Sequence, residues 1–306
     1  MISMGNVAFA TTVVGPTTVI RSEFARQLVD IIPNAAMTLR DEADSRLMDD
    51  SARSHLVIVV GPRDCIAESD RKYVDAWADS KSERARAIDR ASRFATHLRQ
   101  SSLPPDIPPT IHPWSREWAA SAERIARRLC RELGDIGASV DHVGSTSVAQ
   151  LAAKDIVDLQ ISVPDFTLVD AREQSLQAAG FVNVQRIAPD APGVMFDNPR
   201  GDMHDRAMWA KRLYAGVDGD QRVILHVRRR MSPGWRYALL FRDWLRANEA
   251  AKGEYETVKR ELAQRHALDA HFDDYARAKD AWFSTAYYAS EAWAATVGWS
   301  PTAVVR

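Results

Sequence analysis

Neither sign of charge prevails in this chain. Forty Lys and Arg stand against 41 Asp and Glu, a formal net charge of -1. A dedicated nucleic-acid binder is usually basic overall, so nucleic acid is not expected as a partner, although a local basic groove stays open. Cysteine is scarce. Cys65 and Cys130 form no C-x-x-C pair, so neither a disulfide framework nor a zinc site is suggested. Two reduced thiols fit a cytoplasmic protein. No apolar run approaches the ~20 residues needed to span a bilayer, so no membrane association is expected. Met1 to Val14 has no basic segment ahead of its apolar part, unlike a secretory signal. Internal repeats and low-complexity tracts are missing too.

What is present suits a globular protein: 306 residues, 46% of them hydrophobic, enough for two ordinary domains or one large one. The clearest break is Gln100-Ser101-Ser102-Leu103-Pro104-Pro105-Asp106-Ile107-Pro108-Pro109. Four prolines so close together cannot continue a helix or join a central strand, and they read as an extended connector. Tryptophan usage shifts across it, with Trp77 before and the other eight after. The expected organisation is a domain at 1–100, a linker at 101–110 and a domain at 111–306.

The first part reads as α/β. Strands are expected at Val7–Val14, Ala36–Leu39 and His55–Val60, and helices at Ser22–Ile32 and Lys81–Arg99. The nearly continuous apolar run His55–Val60 suits a strand buried on both faces of a parallel sheet. Between the first strand and helix lies Gly15-Pro16-Thr17-Thr18-Val19-Ile20-Arg21-Ser22. Its first Gly and last Ser match the G-x-x-x-x-G-K-[ST] phosphate loop. Ile20 replaces the second glycine and Arg21 the lysine. A β-branched residue resists the positive φ that lets backbone N–H groups curl around phosphate. The loop therefore reads as a degenerate P-loop-like turn without ATP hydrolysis.

The chemistry is expected in "VDHVGSTSVAQLAAKDIVDLQISV", residues 140–163. A strand ends at Val143. Gly144, Ser145 and Thr146 open a small polar turn, followed by a short helical stretch and a strand at Asp155–Val163. Alternation puts Ile156, Asp158, Gln160 and Ser162 on one face. A Gly-Ser turn at a helix N-terminus presents free N–H groups to phosphate. A carboxylate on the next strand could hold Mg²⁺ against that phosphate. Two-metal nucleotidyl transfer wants Asp-x-Asp there, whereas this strand has Asp158-Leu159-Gln160. Asp155 points to the opposite face; Asp141 is nearer the turn.

Further along, Val223–Val227 reads as a strand that puts His226 and Arg228 on one face, where His226 could replace a third carboxylate. Arg228, Arg229 and Arg230 form a basic run. Tyr255 and Lys259 share a helix face, as do Tyr275 and Lys279, and such pairs suit a base and its phosphates. The stretches 235–265 and 267–297 have apolar positions at helical spacing. Asp202, His204, Asp205 and Arg206 border a Gly/Pro-rich loop without a familiar metal-ligand spacing. Lys211 and Arg212 are further candidate anion contacts.

Together "DHVGSTSV…LAAKDIVDLQI", "HPWSREWAASAERIARRL", "VILHV" and "LLFRDWLRANEAAKGEYETVKRELA" resemble the GrpB family of the nucleotidyltransferase superfamily, over about residues 111–299. The likeness is strongest to the GrpB-like C-terminal domain of actinobacterial dephospho-CoA kinases. It implies an α+β nucleotidyltransferase-like domain with C-terminal helices. By position, the family's Gly-Ser turn falls on Gly144 and Ser145, its lysine and strand Asp on Lys154 and Asp158, its His on His226, and its Tyr and Lys on Tyr255 and Lys259. The family usually has proline where Asp155 stands and glycine near Gln150. The functional expectation is a nucleotidyltransferase-like enzyme using Mg²⁺ and ATP or another NTP on a small-molecule acceptor. Asp158 would bind metal, with Ser145 and His226 at the reaction centre. Lys154, Lys259 and Arg228 would neutralise phosphate. The alternative is a catalytically inactive nucleotide-binding, chaperone-like or regulatory module. The oligomeric state, including a homo-oligomer, is left open.

Overall fold

A computed structural model describes residues 9–32, 35–41, 47–100, 102–104, 108–269 and 273–301. It is mixed α/β with two sheets. The first holds β1 (Ala10–Gly15), β2 (Ala36–Asp41), β3 (Leu56–Val59) and β4 (Ala76–Trp77), all parallel in the order β2-β1-β3-β4. Helices α1 (Thr18–Ile31), α2 (Leu47–Arg53) and α3 (Lys81–Gln100) accompany it. Every residue of β3 is buried, as the unbroken apolar run requires of a central parallel strand. Helix α2 is an element the sequence pattern does not reveal. Val7 to Ala8, at the start of the expected first strand, lies outside the described residues.

The phosphate-loop look-alike differs from expectation. Helix α1 begins four residues early, at Thr18, with the Thr17 hydroxyl accepting the Ile20 N–H at 3.3 Å. The turn is therefore only Pro16-Thr17. Arg21 lies inside the helix, folds back over the turn and is buried. It donates to the Gly15 carbonyl, to Asp41 at 3.2 Å and to Thr18 at 3.1 Å. Without a second glycine nothing holds the loop open. Ile20 takes ordinary helical backbone, and the arginine is spent on closing its own turn.

The second sheet contains β5 (Ser139–Val143), β6 (Ile156–Val163), β7 (Phe181–Asn183), β8 (Lys211–Asp218) and β9 (Gln221–Arg229), in the order β5-β6-β9-β8-β7. Strand β6 runs parallel to β9, and the other pairs are antiparallel. One face carries Val157, Leu159, Ile161 and Val163 against α4 (Arg116–Leu133), whose Trp118, Ala122, Ile125 and Leu129 complete the core. The short helices α5 (Phe166–Asp170), α6 (Glu173–Ala178) and α7 (Val184–Ile187) connect strands. The opposite face is partly covered by α8 (Pro233–Ala247), α9 (Glu249–Arg265), α10 (Asp273–Ala278) and α11 (Asp280–Val297). The apolar runs at 235–265 and 267–297 thus hold four helices, with breaks near Asn248, after Arg265 and at Lys279.

Helix α4 also serves the first sheet. Its apolar stripe faces the five-stranded sheet, while Arg124 and Arg128 on another face reach Asp75, just before β4, at 2.8 and 3.4 Å. Arg128 also pairs with Asp218 at the end of β8 and donates to the His55 carbonyl at 2.8 Å. All four ionic side chains are buried. Residues on both sides of the proline-rich segment thus share one buried ionic cluster. Residues 102–104 and 108–110 have no helix or strand.

Candidate functional site

The alternation of β6 sends Asp158 to the sheet face under the C-terminal helices. A cavity of about 380 Å³ lies there. Its floor is β5, β6, β8 and β9. Helices α8–α11 form one wall, and the stretch from Gly193 to Arg200 forms another. Gly144, Ser145, Thr146, Lys154, Asp158, His226, Arg228, Tyr255 and Lys259 all line it.

Gly144 is needed for two reasons. Its φ is +68°, and a Cβ there would lie 2.4 Å from an Asp158 carboxylate oxygen. The turn presses directly on the strand carboxylate. Gly144→Ala should therefore displace either the turn or Asp158 and cost roughly 1–3 kcal/mol. Urea denaturation together with the ligand assay below checks this, and a variant as stable as the parent would contradict the packing. Contrary to the expectation from sequence, the turn does not open an α-helix. Ser145–Ser147 is a single 3₁₀ turn followed by a second turn through Gln150, so this segment brings no helix dipole of its own to the site. Thr146 is committed elsewhere: its hydroxyl donates to the Ile156 carbonyl at 3.3 Å and meets His142 Nε2 at 3.0 Å.

Asp158 has 28% of its side chain exposed and lies 3.4 Å from His226 Nε2. The other ring nitrogen, Nδ1, lies 3.5 Å from Lys211 Nζ. An ammonium can only donate, so Nδ1 accepts and the ring proton sits on Nε2, facing Asp158. Burial, reinforced by the Lys211 charge, lowers His226 to about 4, so the ring is neutral at pH 7. Burial raises the Asp158 carboxyl, but the His226 hydrogen bond and the nearby Lys154 and Lys279 charges outweigh it and hold the group below its ordinary range.

Arg228 and Gln160 are already engaged. The Arg228 guanidinium grips Asp197 with two bonds, at 2.6 and 2.9 Å, and donates to Gln160 Oε1 at 2.8 Å. Gln160 is fully buried and donates to the Trp235 carbonyl at 3.3 Å. Lys211 donates to the same Asp197 at 2.9 Å. Arg228 is thus not free to neutralise phosphate as the sequence suggested, and Gln160 belongs to this buried network. Asp141 pairs across from Gln160, lies 3.8 Å from Arg242 on α8 and does not line the cavity. Asp155 accepts from Trp118 at 2.7 Å on the far side of the sheet.

The remaining cations differ. Lys259 is only 2% exposed, lies 4.7 Å from the centre of the Tyr255 ring and donates to the Ala152 carbonyl. Lys154 and Lys279 both lie over the Tyr275 ring, at 5.0 and 4.8 Å. Among the described residues, Lys259 and Lys279 have no carboxylate within salt-bridge distance. Burial lowers both amines, Lys259 to about 7, where the Lys279 charge adds to the effect. Tyr255 does not offer an open face for a base. It is buried and stacked on Trp282 with centroids 4.5 Å apart. In all, four lysines and two arginines line the cavity against two carboxylates.

Asp197 carried no signal in the sequence, since it sits in an irregular loop and only the fold brings it to Arg228. Lys211 and Arg212 looked equivalent, but strand parity separates them. Lys211 turns inward, and Arg212 turns outward to Asp170 at 3.0 Å. Of the loop group Asp202, His204, Asp205 and Arg206, none lines the cavity.

The GrpB protein family model matches residues 108–288, which include the whole cavity floor. The chain belongs to the GrpB family. Among relatives, a dephospho-CoA kinase of Mycolicibacterium paratuberculosis is 38% identical over 168 residues, covering 53% of this chain and 41% of that protein. A UPF0157 protein of Streptomyces coelicolor is 35% identical over 152 residues, covering 49% of this chain and 68% of that protein. The chain thus spans about two fifths of the length of the kinase it matches. A crystal structure of conserved protein GrpB from Enterococcus faecalis is 23% identical, covers 59% of this chain and 96% of that one, and has a TM-score of 0.48.

Proposed function

We propose that this GrpB cavity binds a phosphorylated small molecule, such as a nucleotide, through lysine ammonium groups. One observation carries the reading: Lys259 and Lys279 face the cavity with no carboxylate partner among the described residues. Placing unpaired ammonium groups in a desolvated site costs several kcal/mol, which a bound anion would offset. Aromatic walls and a volume of about 380 Å³ suit a ligand of nucleotide size. ATP and dephospho-CoA, the substrates that the name of the kinase relatives implies, are natural first ligands.

Two-metal nucleotidyl transfer finds less support. It needs at least two carboxylates around the metals. Here Asp158 stands beside a neutral histidine and two lysines. The other lining carboxylate, Asp197, is held by Arg228 and Lys211, Gln160 is locked to Arg228, and Asp141 lies outside the cavity. No group of three His, Cys, Asp or Glu residues able to hold a metal occurs among the described residues. The donor set does not fit such a site, which favours the alternative of a nucleotide-binding or regulatory module.

Calorimetric titration of the full chain with ATP and dephospho-CoA, in EDTA and in Mg²⁺, tests the proposal. Binding is expected in both media, with affinities within about threefold, and weakening steeply with added salt. Lack of binding by every phosphorylated ligand would refute the reading. Strict Mg²⁺ dependence would restore the metal-based alternative.

A further inference from the structure

We propose that Lys259 is a reactive amine that forms an imine with the carbonyl group of an anionic aldehyde held in this cavity. The idea rests on the anion-binding reading above and adds a covalent step to it.

Imine formation needs an unprotonated amine, an electrophile held within reach and little competing water. The surroundings of Lys259 meet the first and last requirements. Its amine is almost wholly shielded, and among the described residues no carboxylate lies within salt-bridge distance of it. The charged and titratable groups around it are mostly cationic or neutral: Lys279 and Tyr275 from the C-terminal helices, Lys154 from the loop before β6, and Tyr255, Glu256 and Arg260 from its own helix. Glu256 is itself tied to Arg260 at 2.8 Å and to the Ala152 N–H at 3.0 Å. An amine that is desolvated and beside other cations gives up its proton readily, the usual way a nucleophilic lysine is prepared. The Ala152 carbonyl accepts an N–H from either protonation state, so the neutral amine keeps its place. The second requirement falls to Lys154 and Lys279, whose ammonium groups lie over the Tyr275 ring and would hold the aldehyde's phosphate.

The step balances without an oxidant or metal. The Lys259 Nζ lone pair forms a C–N bond to the aldehyde carbon, and one of the two Nζ protons passes to the carbonyl oxygen. The carbinolamine's C–O bond then breaks and its hydroxyl leaves as water with the second Nζ proton, while the nitrogen lone pair forms C=N. One water is released and no electrons change hands.

Pyridoxal 5′-phosphate is a suitable probe, reduced in place with borohydride and mapped by peptide mass spectrometry on the full chain. The main adduct is expected on Lys259, with half-maximal labelling near pH 7 to 8 and suppression by excess ATP. Pyridoxal, which lacks the phosphate, should label at least tenfold more slowly. Lys259→Arg should lose this adduct while keeping the parent's circular dichroism, and Lys279→Met should shift the labelling profile to higher pH. Labelling confined to exposed lysines such as Lys81, with the Lys259 peptide unmodified although ATP still binds, would overturn the imine and leave the anion site standing. Failure of ATP and phosphate alike to bind would overturn both.

Discussion

Lys259→Met should make the unliganded protein more stable and the ligand-binding protein nearly inert. The two effects share one cause. Below its folded-state value of about 7 the parent must keep an ammonium in a desolvated wall without a carboxylate partner. Methionine fills similar volume without charge. It forfeits the hydrogen bond to Ala152, which costs about 1 kcal/mol, but escapes a desolvation cost of several kcal/mol. The second term is larger, so the unfolding temperature should rise by about 3–8 °C at pH 6. Ligand affinity should fall at least ~30-fold, as expected when one desolvated charge contact of about 2 kcal/mol is lost. The pH dependence gives a sharper test. Burial lowers this amine from an ordinary value of 10.5, so between about pH 7 and 10.5 the unfolded chain binds more protons than the folded one. The cost of Lys259 is therefore full below pH 7 and lifts as pH rises through that window. The stability gap between variant and parent should shrink accordingly. A variant less stable than the parent at pH 6 would show that the ammonium is a structural strut.

Asp75→Ala should cost about 3–5 kcal/mol, the largest loss expected from any single change outside the cavity. Asp75 accepts from the Val57 N–H at 2.7 Å, and Arg124 and Arg128 converge on its carboxylate. Burial raises this carboxyl, yet the arginines, with Arg124 the larger influence, bring it below the ordinary value. Removing it leaves two buried guanidinium groups with only Asp218 between them. Asp218 is itself held above its usual range, first by burial and then by the like charge of Asp75 against the pull of Arg128. Because the cluster ties the parallel sheet to α4, the loss should also separate the unfolding of the two sheets. Guanidinium denaturation followed by tryptophan fluorescence and by circular dichroism would show transitions that no longer coincide. Eight of the nine tryptophans follow residue 100, so fluorescence reports chiefly on the GrpB part. A loss under about 1 kcal/mol with coincident transitions would mean that apolar packing alone joins the two.

Wherever backbone periodicity decides an outcome, the sequence was legible. The period-two pattern in residues 156–163 placed Asp158 and Gln160 on the face opposite Val157 and Leu159, and β6 has that arrangement. Gly144 likewise announced a turn that only a residue without a Cβ can make beside Asp158. The apolar run at 55–60 announced a buried parallel strand. These are consequences of local geometry, which neighbouring residues settle among themselves.

What each polar group does with its hydrogen-bonding capacity was not legible. Arg228 and Lys259 look alike as basic residues near a strand and on a helix, yet one is paired with Asp197 and the other faces a cavity without a counter-ion. Arg21 looked like a phosphate ligand and instead closes its own turn. By itself the sequence determined the strand faces, the glycine turn, the basic and aromatic residue types and the family. Only the tertiary structure decided which cations are spent and which are left over. That decision depends on carboxylates such as Asp197 and Asp75, which lie dozens of residues away and arrive through folding, and a charge is neutralised by what is near it in space rather than in sequence.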